Sequence, residues 1–214
     1  MAITVTDYQP DDTIAIDSFI MANDPTGNYG TFTNISIGYV ASVGSIKGLF
    51  GFSWIWNSLL NRKIKFTSDL KLSLYVISIE GVGGYVSYGK FIKRAWVESQ
   101  VTWNIYSTGN NWQTAGGEGA NDSDSTNYSL ATGTLTAGSW FNFCISAGYL
   151  QGEMSGVYSG ILLVGASPRG TANTDYSAIA SSSNATAANR PKYSFSYEPY
   201  HKVLPISAGY GGVK

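Results

Sequence analysis

Apolar and polar residues alternate with a period of two along much of this chain, and a helical period is nearly absent. The alternation is clearest in residues 31–40, 48–56, 70–76 and 192–197. Successive side chains of a β-strand point to opposite faces, so this pattern predicts strands with one buried face. The apolar faces are formed by Ile35, Ile37 and Tyr39, by Phe50, Phe52, Trp54 and Trp56, by Leu70, Leu72, Leu74 and Val76, and by Tyr193, Phe195 and Tyr197.

Gly, Asn, Ser and Thr interrupt the chain about every 8 to 12 residues, which is typical of an all-β sandwich or barrel. We expect an all-β, jelly-roll-like antiparallel β-sandwich over residues 11–198, with an N-terminal arm, residues 1–10, and a C-terminal extension, residues 199–214. Residues 118–127 are polar and small, and predict a surface loop. Further strands are predicted at 13–20, 85–94, 128–135, 140–146, 160–165 and 176–180, with a short helical turn within 147–156.

Composition narrows the classes of function. Charged residues make up 13% of the 214 residues, against about 25% in ordinary soluble domains, and the net charge is −1. Scattered basic residues argue against a nucleic-acid partner. The chain has no apolar run long enough to span a bilayer and does not open with a secretory signal pattern, so we expect no membrane partner and synthesis in the host cytoplasm. A surface poor in charge favours contact with other proteins.

Three of the six tryptophans, Trp96, Trp103 and Trp112, lie within a short polar stretch. Aromatic side chains of this kind serve either as core or as platforms for sugar rings. We expect Trp96 and Trp103 to pack inside the sandwich, with Glu98 and Thr102 satisfying backbone groups of the loops. Trp112 lies among Asn and Gln residues, and both burial and exposure remain open for it. A carbohydrate site would use Trp112, Asn111 and Tyr106.

Residues that carry catalysis or bind metals are few. Glu118, Asp122 and Asp124 offer oxygen atoms for Ca²⁺, but they lack the spacing of a calcium loop, so the sequence favours a solvated loop without metal. Cys144 is the single cysteine and is expected to be a buried, inert thiol. His201 is the single histidine, and no paired acids have the spacing of a hydrolase. We therefore expect neither an enzyme nor a cofactor.

Several motifs together resemble the DNRLRE domain, which is also discussed as a carbohydrate-binding module related to disaggregatase-type β-sandwiches. The segment 96–104, WVESQVTWN, resembles the family's W-x-E-x-x-x-T-W-N hallmark. Residues 70–75, LKLSLY, resemble its A-x-L-x-L-Y strand, and residues 190–192 resemble the start of its last strand. The chain departs from the family at residues 144–146 and 51–53, where the family often has Asp-x-Thr and Arg-Phe-Asp. The resemblance spans about residues 11–198.

The resemblance implies a jelly-roll-like sandwich of a kind found in bacterial surface proteins, polysaccharide-active enzymes and phage virion proteins. Together with the low charge, it leads us to expect a non-enzymatic virion protein, a phage capsid decoration or tail-associated protein, that binds capsid or tail subunits and forms a homo-oligomer such as a trimer. The terminal segments would be the docking arms. The alternative is a carbohydrate-binding or receptor-binding protein that recognises polysaccharide. The candidate arm residues are Tyr8, Tyr200, His201, Leu204 and Tyr210.

Overall fold

The computed structural model describes residues 1–10, 13–53, 55, 64–81, 88–124, 128–129, 135–165 and 174–199. Within these ranges the chain is almost entirely β-structure, with one α-helix, α1 (Ala147–Met154), and a short 3₁₀ turn at Ala187–Asn189. The strands are β1 (Ile3–Tyr8), β2 (Ile16–Met21), β3 (Asn34–Val40), β4 (Gly44–Gly51), β5 (Ile64–Phe66), β6 (Leu70–Glu80), β7 (Tyr88–Phe91), β8 (Ile105–Ser107), β9 (Asn110–Asn111), β10 (Tyr128–Ser129), β11 (Trp140–Ile145), β12 (Ile161–Val164), β13 (Thr174–Ala180) and β14 (Lys192–Pro199).

The long strand β6 joins two parts of a curled antiparallel sheet. Its first half, residues 70–75, pairs with β11 on one side and with β14 on the other. Its second half, residues 76–80, pairs with β13, which continues through β3, β4, β12 and β7 to β10. One end of this order is β1, beside β14, while β2 pairs with β4 and β5 pairs with β14. The expected all-β, antiparallel, sandwich-like fold is confirmed.

The main core lies between the two parts of the sheet. Leu70, Leu72, Leu74 and Val76 of β6 are completely buried, as their period-two spacing predicts. Each such side chain stabilises the fold by roughly 1.5–3 kcal/mol when it is fully buried. Helix α1 covers one end of this core through Leu150. The core therefore follows directly from the alternation in the sequence.

A second core covers the opposite face of β2, β4 and β12. In these strands, residues that point away from the main core are also buried, among them Ile20, Leu49 and Leu162. They pack against Ile92, Trp96, Val101 and Trp112, which belong to residues 92–124. We call residues 92–124 the covering segment. Because this segment lies over the sheet, β4 and β12 are buried on both faces.

Most predicted elements have their counterparts. Strands β3, β6, β11, β12, β13 and β14 and helix α1 confirm the expectations for their segments. The alternation over 48–56 misplaces its strand, because β4 begins at Gly44 and ends at Gly51. Phe52 is buried beyond the end of that strand, while Trp54 and Trp56 lie outside the described residues. None of the described helices is long and apolar enough to cross a bilayer.

The N-terminal segment is not a free arm. Residues 3–8 form β1, which pairs with β14 through Ile3↔Tyr197, Thr4↔Ser196 and Val5↔Phe195. Tyr8, one of the predicted arm residues, is half-buried and packs against the main core of its own chain. Strand β14 extends through Pro199, one residue into the predicted C-terminal extension. Tyr200, His201, Leu204 and Tyr210 lie outside the described residues.

Candidate functional site

The indole rings of the covering segment anchor it to the sheet. Trp96 is 6% exposed, and its Nε1–H donates to the carbonyl of Ser159 at 2.7 Å. Trp112 is 5% exposed, and its Nε1–H donates to the carbonyl of Thr102 at 3.0 Å. The burial expected for Trp96 is confirmed, although it belongs to the second core, whereas Trp103 is only half-buried. For Trp112, where the sequence leaves burial and exposure both open, the structure shows burial, because Trp112 is part of this core.

Polar side chains around these tryptophans satisfy backbone groups, as the sequence predicts. Glu98 Oε1 accepts a hydrogen bond from Asp17 N–H at 2.9 Å, and Thr102 Oγ1 accepts one from Asn104 N–H at 3.2 Å. Asn28 Nδ2 donates to the carbonyl of Glu98 at 2.7 Å. Burial raises the pKa of the Glu98 carboxyl. Burial also raises the pKa of Asp17 to about 7, and the nearby Glu98 carboxylate adds to that rise.

The acids for which the sequence predicts a solvated loop form hydrogen bonds and ion pairs with other parts of the chain. Asp122 is completely buried, and its two carboxylate oxygens accept hydrogen bonds from Gln113 N–H at 2.8 Å and Thr114 N–H at 2.9 Å. Arg94 Nε lies 3.3 Å from the Asp122 carboxylate, and Lys93 lies 3.3 Å from Asp124. The prediction of a surface loop is therefore wrong at Asp122. Among the described residues no group of side chains has an arrangement that could hold a metal ion.

Glu118 holds a buried lysine. Lys47 Nζ lies 2.6 Å from Glu118 Oε2, donates to the carbonyl of Gly116 at 2.8 Å and stacks over the Trp103 ring. Burial lowers the pKa of Lys47. Burial alone would raise the pKa of Glu118, but Lys47, Lys90 and Tyr88 outweigh it and lower that pKa. Gly116 has a φ of +86°, and a Cβ atom there would meet Trp103, so this close packing requires glycine.

A groove of about 440 Å³ opens beside the edge of Trp112. It is lined by Thr26, Asn104 and Asn111, together with Thr102, Ile105 and Ala115. Asn104 and Asn111 are exposed, and their side-chain amides make no hydrogen bond with the described residues. Of the predicted carbohydrate-binding residues, Trp112 and Asn111 therefore share one groove. Tyr106 packs behind Trp112, with ring centroids 5.4 Å apart, and carries Arg94 over its own ring.

A second cavity, of about 300 Å³, lies between α1 and the covering segment. Glu153 lines it, with Trp96 and Tyr158 among its neighbours. Glu153 Oε1 accepts a hydrogen bond from Phe52 N–H at 3.2 Å, and Oε2 is buried without a hydrogen-bond partner among the residues that the structure describes. Burial raises the pKa of Glu153 to about 8, well above the ordinary value of a glutamate carboxyl. Sequence reasoning missed it, although an acid inside a predicted helical turn beside Leu150 and Met154 is a signal to examine.

The outer face of the sheet formed by β11, β6, β14 and β1 carries the most exposed tryptophan among the described residues. Trp140 is 37% exposed, lies opposite Tyr75 and has Lys192 Nζ 4.1 Å from its ring centroid. Cys144 is exposed on the same face, so the prediction of a buried thiol is wrong. The alternation in β11 contains the signal. Phe143 and Ile145 point into the core, so Trp140, Asn142 and Cys144 point outward.

Comparison with known proteins adds no assignment, because the chain matches no protein-family model and none of the curated proteins. The similarity of residues 96–104 to the DNRLRE hallmark therefore remains an expectation. Two residues of this motif attach the covering segment to the sheet. Trp96 bonds to the loop before β12, and Glu98 bonds to β2.

Proposed function

We propose that this chain is a non-enzymatic structural component of a virion, a phage capsid decoration or tail-associated protein, that acts by binding neighbouring subunits. The main support for binding to neighbouring subunits is the position of strand β1 in the sheet. In the described part of the chain it lies at the edge of the sheet, and two apolar side chains are exposed there: Met1, just before the strand, is fully exposed, and Ile3, its first residue, is 42% exposed. Exposed apolar groups beside an unpaired strand edge are a common means of attaching another chain.

The structure of the edge limits how a neighbour can attach. Register is regular from Ile3 to Val5, and an irregularity follows before Tyr8, where Asp7 has a φ of +47°. A bulge of this kind interrupts strand pairing. An added strand would therefore extend over residues 3–5 only, and the apolar side chains of Met1 and Ile3 would contribute most of the contact. The virion as the assembly is carried over from the family resemblance.

A matched pair of substitutions tests the contact role. Ile3→Lys places a charge on the docking edge, and Val157→Lys places one on another exposed apolar position elsewhere, since Ile3 is 42% and Val157 54% exposed. We expect Ile3→Lys to reduce incorporation into particles and self-association in light scattering, while Val157→Lys behaves like the wild type. Equal incorporation of the two variants contradicts the role of β1. Truncation after Pro199 tests the C-terminal docking arm in the same assay.

The groove beside Trp112 favours a second candidate function, recognition of a polysaccharide. Carbohydrate hydroxyls require donors and acceptors that are not already used, and the amides of Asn104 and Asn111 meet that requirement. The informative variants are Asn104→Ala and Asn111→Ala, since Trp112→Ala would damage the second core. We expect either amide change to weaken binding on a glycan array without lowering the melting temperature. An array without hits excludes this candidate.

A further inference from the structure

The cavity between α1 and the covering segment has the size of a site for a small molecule. Its volume is about 300 Å³, at the lower end of the range of small-molecule sites, which is about 300–1,000 Å³. We call it the Glu153 cavity. Besides Glu153 it is lined by Trp96, Met154 and Tyr158, and by Ala95 and Gly156, which are exposed. The cavity therefore reaches the surface at Ala95 and Gly156.

Glu153 has a hydrogen-bonding position that the protein leaves unused. Its side chain is 4% exposed, and Oε1 accepts the hydrogen bond from Phe52 N–H at 3.2 Å. Oε2 is buried and has no hydrogen-bond partner in the described part of the chain. A buried carboxyl oxygen without a partner costs free energy, so such atoms in proteins are normally bonded to something. A molecule in the cavity can supply the missing donor.

The charges around the cavity indicate the sign of that molecule. No lysine or arginine of the described residues lies within ion-pair distance of Glu153. Asp124, the acid behind Tyr158, already pairs with Lys93 at 3.3 Å. Burial raises the pKa of Glu153, and a cation placed beside it would favour the ionised carboxylate. The cavity therefore suits a positively charged molecule and disfavours an anion.

The walls of the cavity indicate an organic cation. The indole N–H of Trp96 donates to the carbonyl of Ser159 at 2.7 Å, and the Tyr158 hydroxyl donates to Asp124 Oδ2 at 3.1 Å. Because these polar atoms are already bonded, the two rings offer mainly carbon surface, and their positions are fixed before a ligand arrives. Aromatic rings attract alkylammonium groups and pack well against hydrocarbon. A metal ion is a poor fit, since no described group of side chains could hold one.

We propose that the Glu153 cavity binds a small organic amine in its protonated form. The ammonium group donates to Glu153 Oε2, and the hydrocarbon part packs between the rings of Trp96 and Tyr158. The site is separate from the groove beside Trp112 and from the edge strand β1. It requires neither a virion role nor a polysaccharide.

The test compares two ligands of one carbon skeleton by isothermal titration calorimetry on the full chain at neutral pH. The ligands are 2-phenylethylamine, which is protonated, and 2-phenylethanol, which carries a neutral hydroxyl instead. We expect the amine to bind about tenfold or more tightly than the alcohol, as a hydrogen bond to a charged group implies. Glu153→Gln keeps an acceptor for Phe52 N–H and should abolish that preference. Glu80→Gln, which removes an exposed carboxyl at the end of β6, should leave it unchanged.

Ala95→Leu provides a second variant at the mouth of the cavity. Ala95 is exposed, so a larger side chain should narrow the cavity without lowering the melting temperature, and we expect it to weaken amine binding severalfold. Circular dichroism establishes that each variant is folded, and Ala95→Leu gives the result if Glu153→Gln does not fold.

Three results overturn the proposal. One is the absence of binding of 2-phenylethylamine to the wild type. Another is equal affinity for 2-phenylethanol, which would make the occupant a neutral molecule that bonds to a protonated Glu153. The third is amine binding that Glu153→Gln and Ala95→Leu both leave unchanged, which would place the amine elsewhere on the protein.

Discussion

The carboxylate of Glu98 caps the open edge of β2 by accepting a hydrogen bond from Asp17 N–H at 2.9 Å. The two residues are 81 positions apart in the chain, and their contact joins the covering segment to the sheet. Burial raises the pKa of both carboxyl groups, and Asp17 itself accepts a hydrogen bond from Ser182 N–H at 2.7 Å. Two acids that resemble an active-site pair by their pKa are therefore bound to backbone groups.

Replacing Glu98 tests that structural role. Glu98→Ala leaves the Asp17 amide without its partner, and we expect the free energy of unfolding to fall by about 1–3 kcal/mol. Glu98→Gln keeps an acceptor oxygen and should lose much less. Urea unfolding at neutral pH measures both variants. If Glu98→Gln costs as much as Glu98→Ala, the charge of Glu98 matters more than its hydrogen bond, and the interpretation of a backbone cap is wrong.

Substituting Trp112 and, as a control, Trp140 tests whether Trp112 belongs to the second core. Trp112 is 5% exposed and bonded through its indole N–H, whereas Trp140 is 37% exposed. We expect Trp112→Ala to lower the free energy of unfolding by about 3–5 kcal/mol, because it opens a cavity under the covering segment. We expect Trp140→Ala to cost about 1 kcal/mol or less. Comparable losses for the two variants would show that Trp112 is not part of a core.

Stability should depend on pH through Glu153 and Asp17. Their pKa values in the folded protein are about 8 and about 7, above the ordinary values of 4.5 and 3.8. Because the folded state holds these protons more tightly than the unfolded chain, the contribution of these two groups to the free energy of unfolding is full below about pH 4 and is lost as pH rises to about 8. Each unit of pKa difference corresponds to roughly 1.4 kcal/mol, so the fall amounts to several kcal/mol.

The control for this pH dependence is Glu153→Gln, which mimics the protonated side chain and keeps an acceptor for Phe52 N–H. We expect it to flatten the part of the curve that lies between about pH 4.5 and pH 8, where Glu153 releases its proton only on unfolding. Asp17→Asn should flatten the part that ends near pH 7. Guanidinium unfolding at several pH values measures both. A wild-type stability that rises over this range would contradict the burial of these acids.

Cys144 provides a direct test of the orientation of β11. Its side chain is exposed, so we expect a thiol reagent such as Ellman's reagent to modify the folded protein fully without denaturant. The chain has one cysteine, so the signal is unambiguous, and denatured protein gives the reference amplitude. Cys144→Ser should change the free energy of unfolding by less than about 0.5 kcal/mol. A thiol that reacts only after unfolding would place Cys144 inside.

The sequence by itself determined the strands of the main core. Alternation in residues 70–76 marks the buried face of β6, and the same period in β14 buries Tyr193 and Phe195. The sequence also indicates which face of β11 is buried, since Phe143 and Ile145 alternate with the more polar Asn142 and Cys144. These features depend on a period of two that a strand imposes on neighbouring residues, so they can be predicted locally.

Only the tertiary structure decided which tryptophan is covered. Trp112 lies in a polar stretch and is buried, while Trp140 lies in a strand and is exposed, because burial depends on what packs across a face from distant parts of the chain. The same reason explains Asp122, which the fold places beneath Gln113 and Thr114 as a backbone cap. No local pattern in the sequence records such contacts, because the partner groups come from distant parts of the chain.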